Sequence, residues 1–141
     1  MYDKLVRTQD QALCHLYFHC CLKDGVLTGA ETDALAERFV TLGLQKNINF
    51  KNEMHAYRSY KDHIIDEMIY LEHLLRLINP TNELALYSHC AELTLSDELL
   101  DESEEILLKK LATILEIDER KQNVIKNLVV ERKVVETKKI I

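Results

Sequence analysis

The sequence predicts an all-α fold: a helical bundle of two repeated helix–loop–helix units, a long central helical region and a C-terminal helix. Three observations predict it. Only three Gly and one Pro occur in 141 residues, whereas sheet proteins, with their many turns, use both freely. Apolar residues recur at three- and four-residue steps along most of the chain, which is the spacing of one helix face. The chain also matches itself when shifted by 73 residues, as two stacked helical units would. The length suits a single domain over residues 1–141, and an apolar share of 47% is enough for a core.

The elements follow in order. The first helix is expected from about Asp10 to Lys23, with Leu13, Leu16, Tyr17, Cys20 and Cys21 on one face. Asp24-Gly25 breaks it. Thr28-Gly29-Ala30-Glu31 reads as a capping box, in which the Thr hydroxyl accepts from the amide three residues on and the Glu reaches back. The helix it opens turns Leu35, Phe39 and Leu42 inward and closes at Gly43. Phe50 to Leu77 reads as a long helical stretch, or two helices broken near Ser59. Phe50, Met54, Tyr57, Ile64, Met68, Leu71, Leu75 and Ile78 mark its inner side, and Asn79-Pro80 ends it. Further helices are expected at about Thr81–Leu95, with Leu86, Cys90 and Leu93 inward, and at Glu102–Leu115. The last runs from Asp118 to about Lys138, although its Val-Val pairs at 129–130 and 134–135 raise β propensity.

Under the 73-residue shift Leu13 falls on Leu86, Asp24 on Asp97, Val26-Leu27 on Leu99-Leu100, Glu31 on Glu104, Leu35 on Leu108 and Leu42 on Leu115. Leucine matches between helices are cheap. The specific part is Asp, one residue, two apolars, three residues, Glu, at the same place between two helices. Two such units would pack face to face, since neither buries its apolar side alone.

The segment Leu22-Lys23-Asp24-Gly25-Val26-Leu27-Thr28-Gly29-Ala30-Glu31, with Leu35 and then Leu42-Gly43-Leu44, resembles the signature of the TerB-like family (tellurite-resistance protein B and relatives). There a helix ends in Asp-Gly, an apolar residue and an acidic or hydroxyl cap follow, and a Glu opens the next helix. Asp97 to Glu104 resembles a second, degraded copy, with Glu98 replacing the Gly. The resemblance covers most of residues 10–120. It implies an all-helical bundle, a non-catalytic role in cytoplasmic stress responses of the tellurite-resistance type, and metal binding through acidic residues.

The acidic loops are the candidate site. With Gly25 placed sixth in an EF-hand loop, Asp24, Thr28 and Glu31 fall at positions 5, 9 and 12. Positions 1 and 3, however, are Cys20 and Leu22, and in the second copy Leu93 and Leu95. A true calcium EF-hand is therefore not indicated. The plainer role of these acids is to cap helix starts, where a carboxylate gains roughly 0.3–1 kcal/mol. The segment from Asp97 to Glu105 holds six carboxylates in nine residues. Capping needs only Asp101 and Glu104, and crowded like charges oppose folding unless something compensates. Two uses follow. One is a protein-contact face made by Asp97, Glu98, Asp101, Glu102 and Glu105. The other is a divalent-metal site using Asp24, Glu31, Asp97, Asp101 and Glu104, with oxygen ligands that favour weak Ca or Mg binding over zinc.

Other chemistry is largely excluded. His15 and His19 lie four apart, so a metal could bridge them with help from Cys14 and Cys20, but no HExxH pattern is present. The plainer reading makes them one polar edge of a helix. No phosphate loop, nucleophile elbow or carboxylate pair marks an enzyme. The tail from Glu119 carries seven Lys/Arg against three Glu, leaving −10 for the rest of a chain whose net charge is −6. It lacks the aromatic residues that stack bases, so nucleic-acid binding is not expected. The charged start, the lack of a spanning apolar run of roughly 20 residues, and four cysteines without a CxxC pair together suggest a cytoplasmic protein with buried thiols.

Overall fold

The computed structural model describes residues 1–23, 29–43, 48–95 and 102–137. Among them are eight α-helices and no strand: α1 (Tyr2–Leu5), α2 (Gln9–Leu22), α3 (Gly29–Leu42), α4 (Phe50–Tyr60), α5 (Glu67–Ile78), α6 (Glu83–Thr94), α7 (Glu102–Leu115) and α8 (Glu119–Thr137). A short 3-10 turn, Lys61–His63, follows α4.

Short polar residues start five of the described helices. Each places a side-chain oxygen on an amide that the first helical turn leaves without a partner. Thr8 and Gln11 form a reciprocal capping box at α2. Asn49, Asp66, Asn82 and Asp118 cap α4, α5, α6 and α8 by accepting from the amides of Asn52, Ile69, Ala85 and Lys121. The capping box expected at Thr28 lies outside the described residues.

The helix ends carry the repeat. Shifted by 73 residues, α3 coincides with α7 from first residue to last. The residue after each, Gly43 and Glu116, has a positive φ of 68° and 57°, the left-handed conformation that terminates helices. Leu35 and Leu108 are buried at equivalent places, as are Phe39 and Ala112.

The centre of the bundle is α2. It packs against α3, α4, α5 and α6. From Cys14 to Leu22 every residue is buried, including both histidines. A helix covered on all sides shows no apolar stripe, so its five predicted inward residues described only part of its contact surface. His15 and His19 do not form a polar edge. They lie inside the core because α4 and α5 supply partners for them. Cys14, Cys20, Cys21 and Cys90 are likewise buried.

The central stretch divides later than expected, over residues 61–66 rather than at Ser59, where the 3-10 turn and the Asp66 cap end one helix and start the next. Phe50, placed inward by periodicity, is 40% exposed at the first turn of α4. Asn79 ends α5 in the left-handed region, which Asn tolerates better than most residues.

Candidate functional site

The structure places the sequence-derived acidic residues unevenly. Asp24, Asp97, Glu98 and Asp101 lie outside the described residues. Glu31 belongs to the first turn of α3, but its side chain is outside the description. Glu102 and Glu105 are exposed on the first turn of α7, while Glu104 between them is half-buried. That division follows helix geometry: residues three apart, such as Glu102 and Glu105, share a face, and Glu104 lies off it. Among the described residues no cluster of three or more His, Cys, Asp and Glu is arranged to hold a metal ion.

A second constellation, inside the bundle, was not singled out from the sequence. His15 Nδ1 lies 2.6 Å from the Tyr60 hydroxyl and its Nε2 2.8 Å from Glu53 Oε1. One turn on, His19 Nδ1 lies 2.8 Å from the Tyr57 hydroxyl and its Nε2 2.8 Å from Glu67 Oε2. Two Glu–His–Tyr sets thus stand side by side, each using one residue from α2. The hydroxyls of Tyr60 and Tyr70 meet at 2.5 Å. Tyr2 closes the aromatic cluster edge-on to Tyr70, with ring centroids 4.8 Å apart.

The donors in the first set can be assigned from chemistry. An ionised carboxylate only accepts, so His15 Nε2–H donates to Glu53. Burial pushes the His15 imidazole below its ordinary pKa, against the opposing pull of Glu53, which favours the neutral ring. Nδ1 then accepts from the Tyr60 hydroxyl, and the Tyr60 oxygen accepts from Tyr70. Burial raises the pKa of the Tyr57, Tyr60 and Tyr70 phenols, keeping them protonated donors.

Glu67 is the most heavily engaged carboxylate described. Lys23 Nζ lies 2.9 Å from its Oε2 and Lys110 Nζ 3.0 Å from its Oε1. Burial pushes its carboxyl up, but hydrogen bonds from His19, Lys23 and Lys110 outweigh that and hold it well below the usual carboxylate range. Glu67 thereby ties together α2, α5 and α7. Arg38 of α3 pairs with Glu92 of α6, adding a link between the two repeat units.

Both nitrogens of each histidine already have protein partners within 2.8 Å. The bridging metal considered from their four-residue spacing would have to displace these bonds. The spacing itself was the available signal. A His pair on a helix without an apolar stripe requires partners, and Glu53, Tyr57, Tyr60 and Glu67 are the residues that provide them.

These observations define an all-helical bundle with a polar, hydrogen-bonded heart and an acidic segment leading into α7. The family model for tellurite resistance protein TerB matches residues 10–127, and the chain belongs to that family. No curated protein and no solved structure matches it. No described helix is long and apolar enough to cross a membrane.

Proposed function

We propose that this chain is a non-catalytic interaction module that contacts a protein partner through its acidic segment, in a cytoplasmic stress response of the tellurite-resistance type. Its face comprises Asp97, Glu98, Asp101, Glu102 and Glu105. The supporting observation is the exposure of Glu102 and Glu105 beside the half-buried Glu104. Glu104 is turned partly into the protein. The other two present charge to solvent, where they contribute little to folding and are free to meet a basic surface. The engaged state of both imidazoles favours a structural role for the polar core over an acid–base role. The absence of aromatic residues from α8 argues against a nucleic-acid partner.

The alternative is weak Ca or Mg binding by Asp24, Glu31, Asp97, Asp101 and Glu104. Affinity capture with the wild-type chain and with a variant carrying Asp97→Asn, Asp101→Asn, Glu102→Gln and Glu105→Gln tests the first reading. A defined polypeptide should be retained by wild type at low salt and lost in the variant. Calorimetry with calcium and magnesium tests the second. Saturable heat at micromolar metal, abolished by Asp97→Asn/Asp101→Asn, would make metal binding primary and remove the partner reading.

A further inference from the structure

Three lysines from separate parts of the chain converge on one hollow. A cavity of about 290 Å³ lies beside the C-terminus of α2, and its walls include Lys23, Lys61, Lys110 and Glu67, with Ile64 and Ile65 beside them. Glu67 is the one carboxylate among the described lining residues. Three ammonium groups against one carboxylate give a local charge of +2 in a chain whose net charge is −6.

Structural duties account for only part of this. Glu67 accepts from His19 Nε2 at 2.8 Å and pairs with both Lys23 and Lys110, so its single charge balances only one of those two ammonium groups. Lys61 donates to the Leu22 carbonyl at 2.6 Å, satisfying the end of α2. An ammonium has three N–H donors, and each of these lysines keeps at least one that meets no described residue. All three are partly buried, where like charges repel more strongly than in bulk water. The arrangement therefore favours a bound counter-charge.

We propose that this hollow binds a compact dianion, either inorganic phosphate or the phosphate of a small monoester. Lys23, Lys61 and Lys110 supply charge-assisted hydrogen bonds. Glu67 is a positioning residue, holding Lys23 and Lys110 at the wall of the hollow. Ile65, fully exposed beside the lysines, gives the organic part of a monoester an apolar surface to lie on. The inference does not depend on the role of the acidic segment.

The test is a titration of the full chain, labelled at isoleucine methyls, with sodium phosphate against sodium chloride at matched ionic strength. The Ile64 and Ile65 methyl resonances should shift saturably with phosphate only. Lys61→Met and Lys110→Met should each weaken binding about tenfold or more, the usual effect of losing a hydrogen bond to a charged group. Lys51→Met, an exposed lysine on α4, should leave binding unchanged. Glycerol phosphate binding more tightly than phosphate assigns the monoester; equal or weaker binding assigns the free ion. Changes that do not saturate, or that match those with chloride, overturn the proposal, and this wild-type result stands even if a variant fails to fold. Unaltered affinity in both lysine variants overturns it too, as does acetate binding as tightly as phosphate.

Discussion

The imidazole of His15 and the phenol of Tyr60 are joined by a 2.6 Å hydrogen bond, with ring planes 8° from parallel. Both residues are fully buried. The bond fixes the central helix against the last turn of α4, and through Tyr70 it reaches α5. The buried polar atoms along this line depend on one another, since the Tyr60 hydroxyl both donates to His15 and accepts from Tyr70.

Tyr60→Phe tests that dependence. The substitution keeps the ring but leaves His15 Nδ1 without its donor and Tyr70 without its acceptor. A buried polar group left without a partner costs about 1–3 kcal/mol. Urea unfolding should show a lower midpoint with an unchanged slope. A midpoint equal to wild type would mean that water or a neighbour replaces the hydroxyl.

Acid should destabilise the protein in two stages. His15 has a folded pKa below its ordinary value of 6.5, so below pH 6.5 the unfolded chain takes up a proton that the folded chain refuses. Glu67 has a folded pKa below its ordinary value of 4.5, so the same holds further down. In both cases the unfolded state binds more protons, and stability falls as pH falls. The melting temperature should start to drop near pH 6.5 and drop again below 4.5. Glu67→Gln should flatten the second stage and spare the first.

The left-handed residues after α3 and α7 predict opposite substitution effects. Glu116 adopts φ 57° with a side chain attached, a conformation costing roughly 1–2 kcal/mol for an L-residue. Glu116→Gly should relieve much of this, though the greater freedom of Gly in the unfolded chain offsets part of the gain. Gly43 has φ 68° and nothing within 4 Å of where a Cβ would stand. Gly43→Ala should therefore destabilise through backbone strain alone, by about 1 kcal/mol. Calorimetric melting of the two variants checks the sign of each.

Leu35 and Leu108 occupy equivalent positions in the repeat, and each is almost wholly buried. Leu→Ala in a packed core costs about 2–5 kcal/mol, the spread reflecting how far the site collapses. Both substitutions should fall in that range. A loss under about 1 kcal/mol at either site, the size typical of more superficial changes, would show that the two units do not share a packing role.

Much of the fold is local and was visible in the sequence. Glu102–Leu115 matched to the residue because acids crowd its start and an apolar rhythm runs through it. The family resemblance rested on residues 22–44, and the TerB model confirms it over residues 10–127. The burial of Cys14 and Cys90 followed from their apolar surroundings. The break in the central stretch falls later than Ser59 suggests. Asp66, which caps α5, was the stronger local signal.

The sequence by itself determined an all-α chain, the register of its repeat and most of its helix ends, because helix period, caps and left-handed terminators act over three or four residues. Only the tertiary structure decided that α2 lies at the centre, and with it the surroundings of His15 and His19. The partner carboxylates stand 38 and 48 residues away in the chain, and Lys110 stands 43 residues beyond Glu67. No local pattern encodes such pairings. They arise when helices pack, because polar groups drawn into the core with an apolar helix must find hydrogen-bond partners there.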